Sequence, residues 1–155
     1  KGGLKMEMFW SSLTRSAGFP SELLVLTLIL IATGKRNWRR VLIVVLAFSL
    51  FRLTGEIVKE GIAVPRTCWQ TGVKTLIPCP DSFSFPSGHA LGAAMLAMIV
   101  SLIYRRKLII VLIWALALLI AVSRIAVGVH SPVDIIGGII MGIVSGWTIW
   151  KFYWV

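Results

Sequence analysis

The stretch VDIIGGIIMGIVSGWTIWKFYWV, residues 133–155, decides the fold class because it is long and carries charges only at Asp134 and Lys151. As an α-helix, these residues extend about 34 Å, which exceeds a hydrocarbon core of about 30 Å. Four further apolar runs occupy residues 23–33, 41–53, 90–104 and 108–122. Together they predict an all-α, polytopic transmembrane bundle of about five spanning helices, whose first span must recruit residues 18–21 to be long enough.

The composition excludes an ordinary soluble domain. Hydrophobic residues make up 57% of the chain and charged residues 14%, against about 25% charged residues in soluble domains. Residues 1–5, KGGLK, lack an initiator methionine and are predicted to be an expression scar, with residues 6–155 forming one membrane-embedded domain. Residues 6–20, MEMFWSSLTRSAGFP, are too polar to span, and they predict either a short interfacial helix or a frayed terminus.

The net charge of +10 is concentrated in two short loops, KRNWRR at 35–40 and RRK at 105–107. Such clustering is typical of cytoplasmic loops, and it predicts an outer N-terminus and an inner C-terminus for five spans. It also argues against a nucleic-acid partner, which needs a basic face on a soluble surface. Cys68 and Cys79 fall in one outer loop, where they either form a disulfide or remain two thiols.

Three polar segments lie between the predicted spans. The first contains Lys59 and Arg66, the second reads PSGH at 86–89, and the third reads SRIAVGVHSPVD at 123–134. Crossings counted from the basic loops place all three on the outer side. Ionisable groups at membrane depth are costly and usually functional, and this concentration of cations predicts an anion site.

The residue types favour phosphate as the anion. Ser87 is predicted to cap the third span, so that the backbone N–H groups of Gly88 and His89 face the ligand with the helix dipole behind them. His89 and His130, the latter near Asp134, add a candidate acid and a candidate nucleophile or base.

These segments resemble the signature of the type 2 phosphatidic acid phosphatase superfamily, which reads K-x6-RP, PSGH and SR-x5-H-x3-D. The second motif is complete at 86–89, and the third is complete as Ser123, Arg124, His130 and Asp134. The first keeps the spacing of Lys59 and Arg66, but Thr67 replaces its proline. The matching motifs extend from residue 59 to residue 134.

The resemblance implies a membrane phosphatase that needs no metal or other cofactor and forms a phosphohistidine intermediate. In that scheme His130 attacks phosphorus, Asp134 orients its imidazole, and His89 protonates the leaving oxygen. The resemblance assigns the phosphate oxygens to five residues, namely Lys59, Arg66, Ser87, Gly88 and Arg124. It also implies a location in the bacterial inner membrane, with the site facing the periplasm or exterior.

Several residues have plausible structural roles as well. Asp134 follows Ser131 and Pro132, which is the pattern of a helix start, and both roles are compatible. Lys59 and Arg66 are alternatively interface anchors. Arg52 and Glu56 have the spacing of an ion pair within one helix, with support for Lys59 as a further hypothesis.

Two other segments are expected to serve packing. Small residues recur every fourth position in two spans and predict close helix contacts, at Gly138, Gly142 and Gly146 and at Ala93, Ala97 and Ser101. The loop 68–85 carries apolar residues that either dip into the interface or cover the helix ends.

The expected partner is a phospholipid or lipid-linked phosphate, because the polar segments lie where the apolar runs stop. Lipid A 1-phosphate is favoured, since the compact chain resembles small bacterial lipid A 1-phosphatases. Undecaprenyl diphosphate, phosphatidylglycerol phosphate and phosphatidate are the alternative substrates, and phosphoryl transfer to another alcohol is the alternative reaction. A non-catalytic lipid carrier is a different class of function, and the complete histidine and aspartate set argues against it.

Overall fold

The computed structural model of the chain describes residues 2–32, 38–70 and 72–154. Six α-helices occur in these segments: α1 Gly2–Ser16, α2 Phe19–Ala32, α3 Trp38–Ile62, α4 Gly88–Tyr104, α5 Lys107–Ala126 and α6 Pro132–Trp154. A 3-10 turn at Thr67–Trp69 lies between α3 and α4, and no strand occurs among the described residues. The all-α prediction is confirmed.

The helices contain the predicted apolar runs and extend beyond most of them. Helix α2 begins at Phe19, so it recruits residues ahead of the run at 23–33 as expected. Helix α3 continues to Ile62 and therefore carries Lys59 on its last turn. Residues 35–37 of the basic loop at 35–40 lie outside the described residues, as do residues 33 and 155 of the predicted spans.

Three helices, α3, α5 and α6, are long and apolar enough to cross a membrane. Helices α1 and α2 meet at a bend of 63° and would make a fourth crossing if they act as one broken span. Helix α4 is apolar but shorter, at 17 residues. The count of five spans stays a prediction.

Helix α4 occupies the centre of the bundle, and most of its side chains are buried. Leu91, Met95 and Ile99 pack with Phe48 of α3 in the largest apolar cluster. The outward faces of α3, α5 and α6 instead expose many large aliphatic side chains. Such faces match hydrocarbon rather than water, so α4 lies inside a ring of helices with apolar outer surfaces.

Both predicted small-residue faces are close-packing faces, with different partners. On α6, a Cβ added at Gly146 would lie 2.7 Å from the Met95 carbonyl oxygen, so α6 contacts the backbone of α4 directly. On α4, Ala93 and Ala97 pack against Ala117 of α5. Because α4 carries the PSGH motif and α6 carries Asp134, this tight packing fixes two of the polar segments relative to each other.

Helix α1 is helical rather than frayed, and it packs against α5. Most of its side chains are exposed, whereas Thr14 is buried, as is Ala17 just after the helix. Its residues 2–5 continue the helix without a break. Whether α1 lies at a lipid surface stays a prediction.

Candidate active site

The polar segments converge at one end of the bundle, where α3 and α5 end and α4 and α6 begin. Arg66 Nη1 lies 3.1 Å from His130 Nε2, which joins the first segment to the third. The Ser87 backbone N–H donates to the Asp134 carbonyl oxygen at 3.0 Å, which joins the second to the third. The prediction that the three segments share one face of the molecule is confirmed.

His130 and Asp134 form the centre of the site. His130 lies in the short loop between α5 and α6, and Asp134 lies in the first turn of α6. Their Nδ1 and Oδ2 atoms are 3.4 Å apart, and both side chains are almost fully buried. A carboxylate at Nδ1 favours the tautomer with its proton on that nitrogen, which leaves Nε2 unprotonated.

Asp134 also caps α6, as its position predicts. Its Oδ2 accepts a hydrogen bond from the Ser131 backbone N–H at 2.7 Å, and its own backbone N–H lies 3.4 Å from Ser131 Oγ. Ser84 Oγ donates to the same Oδ2 at 2.5 Å. The carboxylate is therefore held by a helix cap and a serine while it faces His130, so both roles considered for Asp134 hold together.

Arg66 is held by the loops on both sides of the site. Its Nε donates to the Ser82 carbonyl oxygen at 2.5 Å, and its Nη1 donates to the Val129 carbonyl oxygen at 3.2 Å. Burial lowers the pKa of Arg66, although the carboxylates of Asp134 and Glu56 oppose the shift. An interface anchor would extend toward solvent, whereas this guanidinium is directed inward.

Burial also lowers the pKa of the His130 imidazole below its ordinary value. The hydrogen bond with Asp134 opposes that shift, and the charges of Arg66 and Arg124 add to it. The physical reason is that a charged imidazole in this pocket would lose its hydration beside two guanidinium groups. His130 is therefore neutral at neutral pH, which is the state a nucleophile requires.

Ser87 occupies the N-cap position of α4, but the prediction that its side chain caps the helix is wrong. The hydroxyl makes no capping hydrogen bond, and its oxygen is buried with no partner among the described residues. The backbone N–H of Ser87 is instead used by Asp134, which draws this residue toward α6. Gly88 begins α4, so its own N–H is one of the free donors of a helix N-terminus.

Arg124 lies in the last turn of α5 and is buried. Its Nη1 donates to the Thr14 hydroxyl of α1. Its Nε is buried with no hydrogen-bond partner in the described part of the chain. Ser87 Oγ and Arg124 Nε thus present two unpaired polar groups beside the histidines.

His89 follows Gly88 in the first turn of α4. Arg124, Arg52 and His130 all lie near enough for their charges to act on its imidazole. The backbone of Thr14 also lies close to the imidazole. His89 is therefore part of the same cluster as His130.

The charged residues of α3 pair differently from the prediction. Glu56 contacts Lys59, with Oε2 and Nζ 2.7 Å apart, which fits the hypothesis of support for Lys59. Arg52 does not pair with Glu56 among the described residues, because Glu22 of α2 lies 3.5 Å from its Nε. Arg52 also donates to the Gly88 carbonyl oxygen, so it links α2 and α3 to the start of α4.

The loop between α3 and α4 is covalently closed and packed. Cys68 and Cys79 form a disulfide, with Cα atoms 6.0 Å apart. The Leu76 backbone N–H donates to the Val127 carbonyl oxygen at 3.1 Å, and Trp69 stacks edge-on against Phe83. These contacts favour a loop that covers the helix ends. Among the described residues, no cluster of three or more His, Cys, Asp or Glu side chains could hold a metal ion.

The profile of the PAP2 superfamily matches residues 38–155, well over half of the chain. The chain belongs to the PAP2 superfamily. Its membership and its long apolar helices identify it as an integral membrane protein. The matched region begins at the start of α3, so it contains all three motifs and excludes α1 and α2.

Individual relatives are similar over part of the chain. Phosphatidylglycerophosphatase B of Bacillus subtilis is 28% identical over 135 residues, which cover 79% of this chain and 64% of the relative. Lipid A 4'-phosphatase of Porphyromonas gingivalis is 39% identical over 71 residues, which cover 46% of this chain and 30% of the relative. The chain thus spans less than two thirds of the length of either.

The fold is shared with solved PAP2 structures. The crystal structure of Aquifex aeolicus LpxE superposes with a TM-score of 0.76 at 26% sequence identity. The similarity covers 94% of this chain and 86% of that one. It therefore includes the helical bundle as a whole and is not restricted to the motifs.

The one departure from the PAP2 motif has a structural counterpart. Thr67, which replaces the proline after Arg66, donates from its hydroxyl to the Gly128 carbonyl oxygen at 3.0 Å. A proline has no side-chain donor and could not make this bond. Thr67 thus ties the first motif to the loop that carries His130.

Three residues at the site were missed by the sequence reasoning: Ser84, Ser82 and Thr14. Ser84 and Ser82 belong to the segment DSFSFPSGH, and their alternation with aromatic residues just before PSGH was an available signal. Thr14 lies 110 residues from its partner Arg124 and has no local pattern that marks it.

Proposed function

We propose that the chain is an integral-membrane lipid phosphatase that hydrolyses a lipid-linked phosphate or pyrophosphate through a phosphohistidine. His130 is the nucleophile, Asp134 orients it, and His89 is the acid and base. Membership of the PAP2 superfamily supports this assignment, as do the names of the relatives, which are lipid phosphatases.

The observation that carries the proposal is the pair of unpaired donors beside His130. Ser87 Oγ and Arg124 Nε are buried without partners among the described residues. Buried donors that lack acceptors cost free energy, and a bound phosphoryl group supplies acceptors for both. Gly88 N–H, Lys59 and Arg66 complete the proposed set of phosphate contacts.

The first chemical step is attack by His130 Nε2 on phosphorus. Arg66 Nη1 lies 3.1 Å from that nitrogen. Attack therefore requires the guanidinium to move from His130 to an oxygen of the bound phosphate. The N–P bond then forms as the bond from phosphorus to the leaving oxygen breaks. His89, which the charge of the bound phosphate keeps protonated, gives its proton to that oxygen, so the leaving group departs as the lipid alcohol or, from a diphosphate, as the lipid monophosphate.

The second step is hydrolysis of the phosphohistidine. His89, now neutral, takes a proton from a water molecule, which attacks phosphorus as the N–P bond breaks. Inorganic phosphate leaves, and His130 regains its electron pair. The fixed cations stabilise the charge on the nonbridging oxygens in both steps, a role that positioned donors and cations fill in phosphoryl transfer.

The proposed substrate is lipid A 1-phosphate, with undecaprenyl diphosphate, phosphatidylglycerol phosphate and phosphatidate as alternatives. The site lies where the apolar helix surfaces end, so the phosphate meets the site while the tails remain in the bilayer. The lipid A 4'-phosphatase among the relatives supports a lipid A substrate, and the phosphatidylglycerophosphatase supports a glycerophospholipid.

The proposed location is a bacterial inner membrane, with the site facing outward. The basic loop at 105–107 connects the far ends of α4 and α5, at the opposite end of the bundle from the site. The positive-inside rule then places the site on the outer side. A cysteine introduced as Arg106→Cys into a Cys68→Ser, Cys79→Ser background should react with a membrane-impermeant maleimide only after spheroplasts are lysed. Labelling before lysis would reverse the orientation.

The activity test is phosphate release by detergent-solubilised protein in excess chelator, with a panel of the four lipid phosphates. We expect release that persists with chelator and disappears in His130→Ala. Thr148→Val is the matched control, because in the described part of the chain the Thr148 hydroxyl bonds only the Val144 carbonyl oxygen of its own helix. Release that requires added divalent metal, or that persists in His130→Ala, would exclude the proposed mechanism.

A further inference from the structure

Thr14 of α1 lies in the site although it belongs to neither the motifs nor the region matched by the PAP2 profile. Its side chain is 2% exposed on a helix whose other side chains are mostly exposed. Its hydroxyl accepts a hydrogen bond from Arg124 Nη1, and its oxygen lies 3.3 Å from Ser123 Oγ. Its backbone lies close to the imidazole of His89. One residue thus contacts two members of the proposed phosphate site.

The hydroxyl of Thr14 uses both of its hydrogen-bonding functions. Ser123 has a single hydroxyl hydrogen, and the 2.6 Å contact with the Ile120 carbonyl oxygen uses it. The Thr14 hydroxyl hydrogen is then free to point at Ser123 Oγ, while its lone pairs face Arg124. An arginine side chain has donors only. The Thr14 oxygen accepts from Nη1 of Arg124, and Nε remains without a partner among the described residues.

We propose that Thr14 is a positioning residue that holds Arg124 and His89 at the distance and orientation required by a bound phosphoryl group. The inference rests on the proposed phosphatase function and deepens it. Helix α1 thereby contributes to the site from outside the region that the family profile matches. The guanidinium is fixed at one end by Thr14, so that Nε meets a phosphate oxygen without further ordering.

The test compares Thr14→Val, which removes the hydroxyl and keeps the shape, with Thr14→Ser, which restores it. Thr27→Val is the matched control, because within the described segments the Thr27 hydroxyl bonds only the Leu23 carbonyl oxygen of its own helix. Loss of a hydrogen bond to a charged group should lower kcat/KM by roughly tenfold in Thr14→Val. The inhibition constant of inorganic phosphate should rise by a similar factor, and Thr14→Ser should recover both.

The phosphate inhibition constant separates positioning from simple structural support. A residue that only stabilises the fold would lower the apparent Tm and the active fraction, and it would leave KM and the inhibition constant unchanged. Unchanged constants in Thr14→Val, or no recovery in Thr14→Ser, would overturn the inference while the wild-type protein still hydrolyses lipid phosphates.

Failure of the proposed function itself would give a different result. In that case the wild-type protein releases no phosphate from any lipid of the panel. The rise of apparent Tm with inorganic phosphate then replaces turnover as the measurement. A rise that is smaller in Thr14→Val than in Thr27→Val supports the positioning of Arg124, and equal rises, or none in the wild-type protein, refute it.

Discussion

Substitution of Gly138 by alanine should separate the two helices that build the site. Gly138 lies one turn after Asp134 on α6, and a Cβ added there would lie 2.5 Å from the Ser87 carbonyl oxygen and 3.0 Å from the Ala90 Cβ. Ordinary contact begins at 3.4 Å, so the gap at Ser87 must widen by about 0.9 Å. The obstacle is backbone on one side and a rigid methyl group on the other, so neither can rotate away.

The widening has two expected costs. Overpacking of a tight contact destabilises proteins by about 1–3 kcal/mol, which should lower the apparent Tm in detergent. The same movement carries Ser87 and His89 away from Asp134 and His130. A misplacement of about 1 Å can cost about a hundredfold in rate, so turnover should fall much more than the folded fraction.

Gly61→Ala is the matched control, because a Cβ added at Gly61 has no neighbour within 4 Å. That variant should keep wild-type turnover and gain up to about 1 kcal/mol from helix propensity. The assay is lipid phosphate turnover per folded molecule, with folding followed by thermal unfolding. Wild-type turnover and Tm in Gly138→Ala would show that α4 and α6 are not held as closely as described.

Three further outcomes are expected. Ser84→Ala should lower kcat about tenfold, because Asp134 loses a charge-assisted hydrogen bond. A kcat measured under steady-state conditions that falls no further than in a serine-to-alanine variant remote from the site would contradict this. In a plot of kcat/KM against pH, the acid limb should lie below pH 6.5. Burial lowers the pKa of His130, so activity is lost only as the pH falls through that lowered value. An acid limb above pH 6.5 would contradict the assignment of His130 as the nucleophile. The double variant Cys68→Ser, Cys79→Ser should lose up to about 3 kcal/mol of stability, because the disulfide closes a short loop. A reductant should lower the Tm of the wild-type protein but not that of the double variant.

The helices and the meeting of the motifs were predictable because both depend on signals that are contiguous in sequence. Apolar runs mark the helices, and the basic loops set the side on which the polar segments meet. The start of α6 was also predictable, since Ser131, Pro132 and Asp134 are adjacent and cap the helix as their order indicates.

The pairings between helices were not predictable from local spacing. Arg52 and Glu56 have the spacing of an ion pair, but Glu22 arrives from α2 and takes Arg52 instead. Ser84 and Asp134 are 50 residues apart, and nothing in the sequence around either residue predicts their hydrogen bond. Ser87 has the position of a cap but not its hydrogen bond, because its backbone N–H is drawn to α6.

The bond between Arg66 and His130 Nε2 has a consequence for the reactivity of the imidazole. An electron pair engaged by a guanidinium reacts slowly with electrophiles, so this bond shields the ring. Diethyl pyrocarbonate should therefore modify His130 sluggishly in the absence of ligand. A small anion that binds Arg66 and leaves the imidazole uncovered should increase the rate of this modification. A ligand that covers the imidazole would instead protect His130 from the reagent.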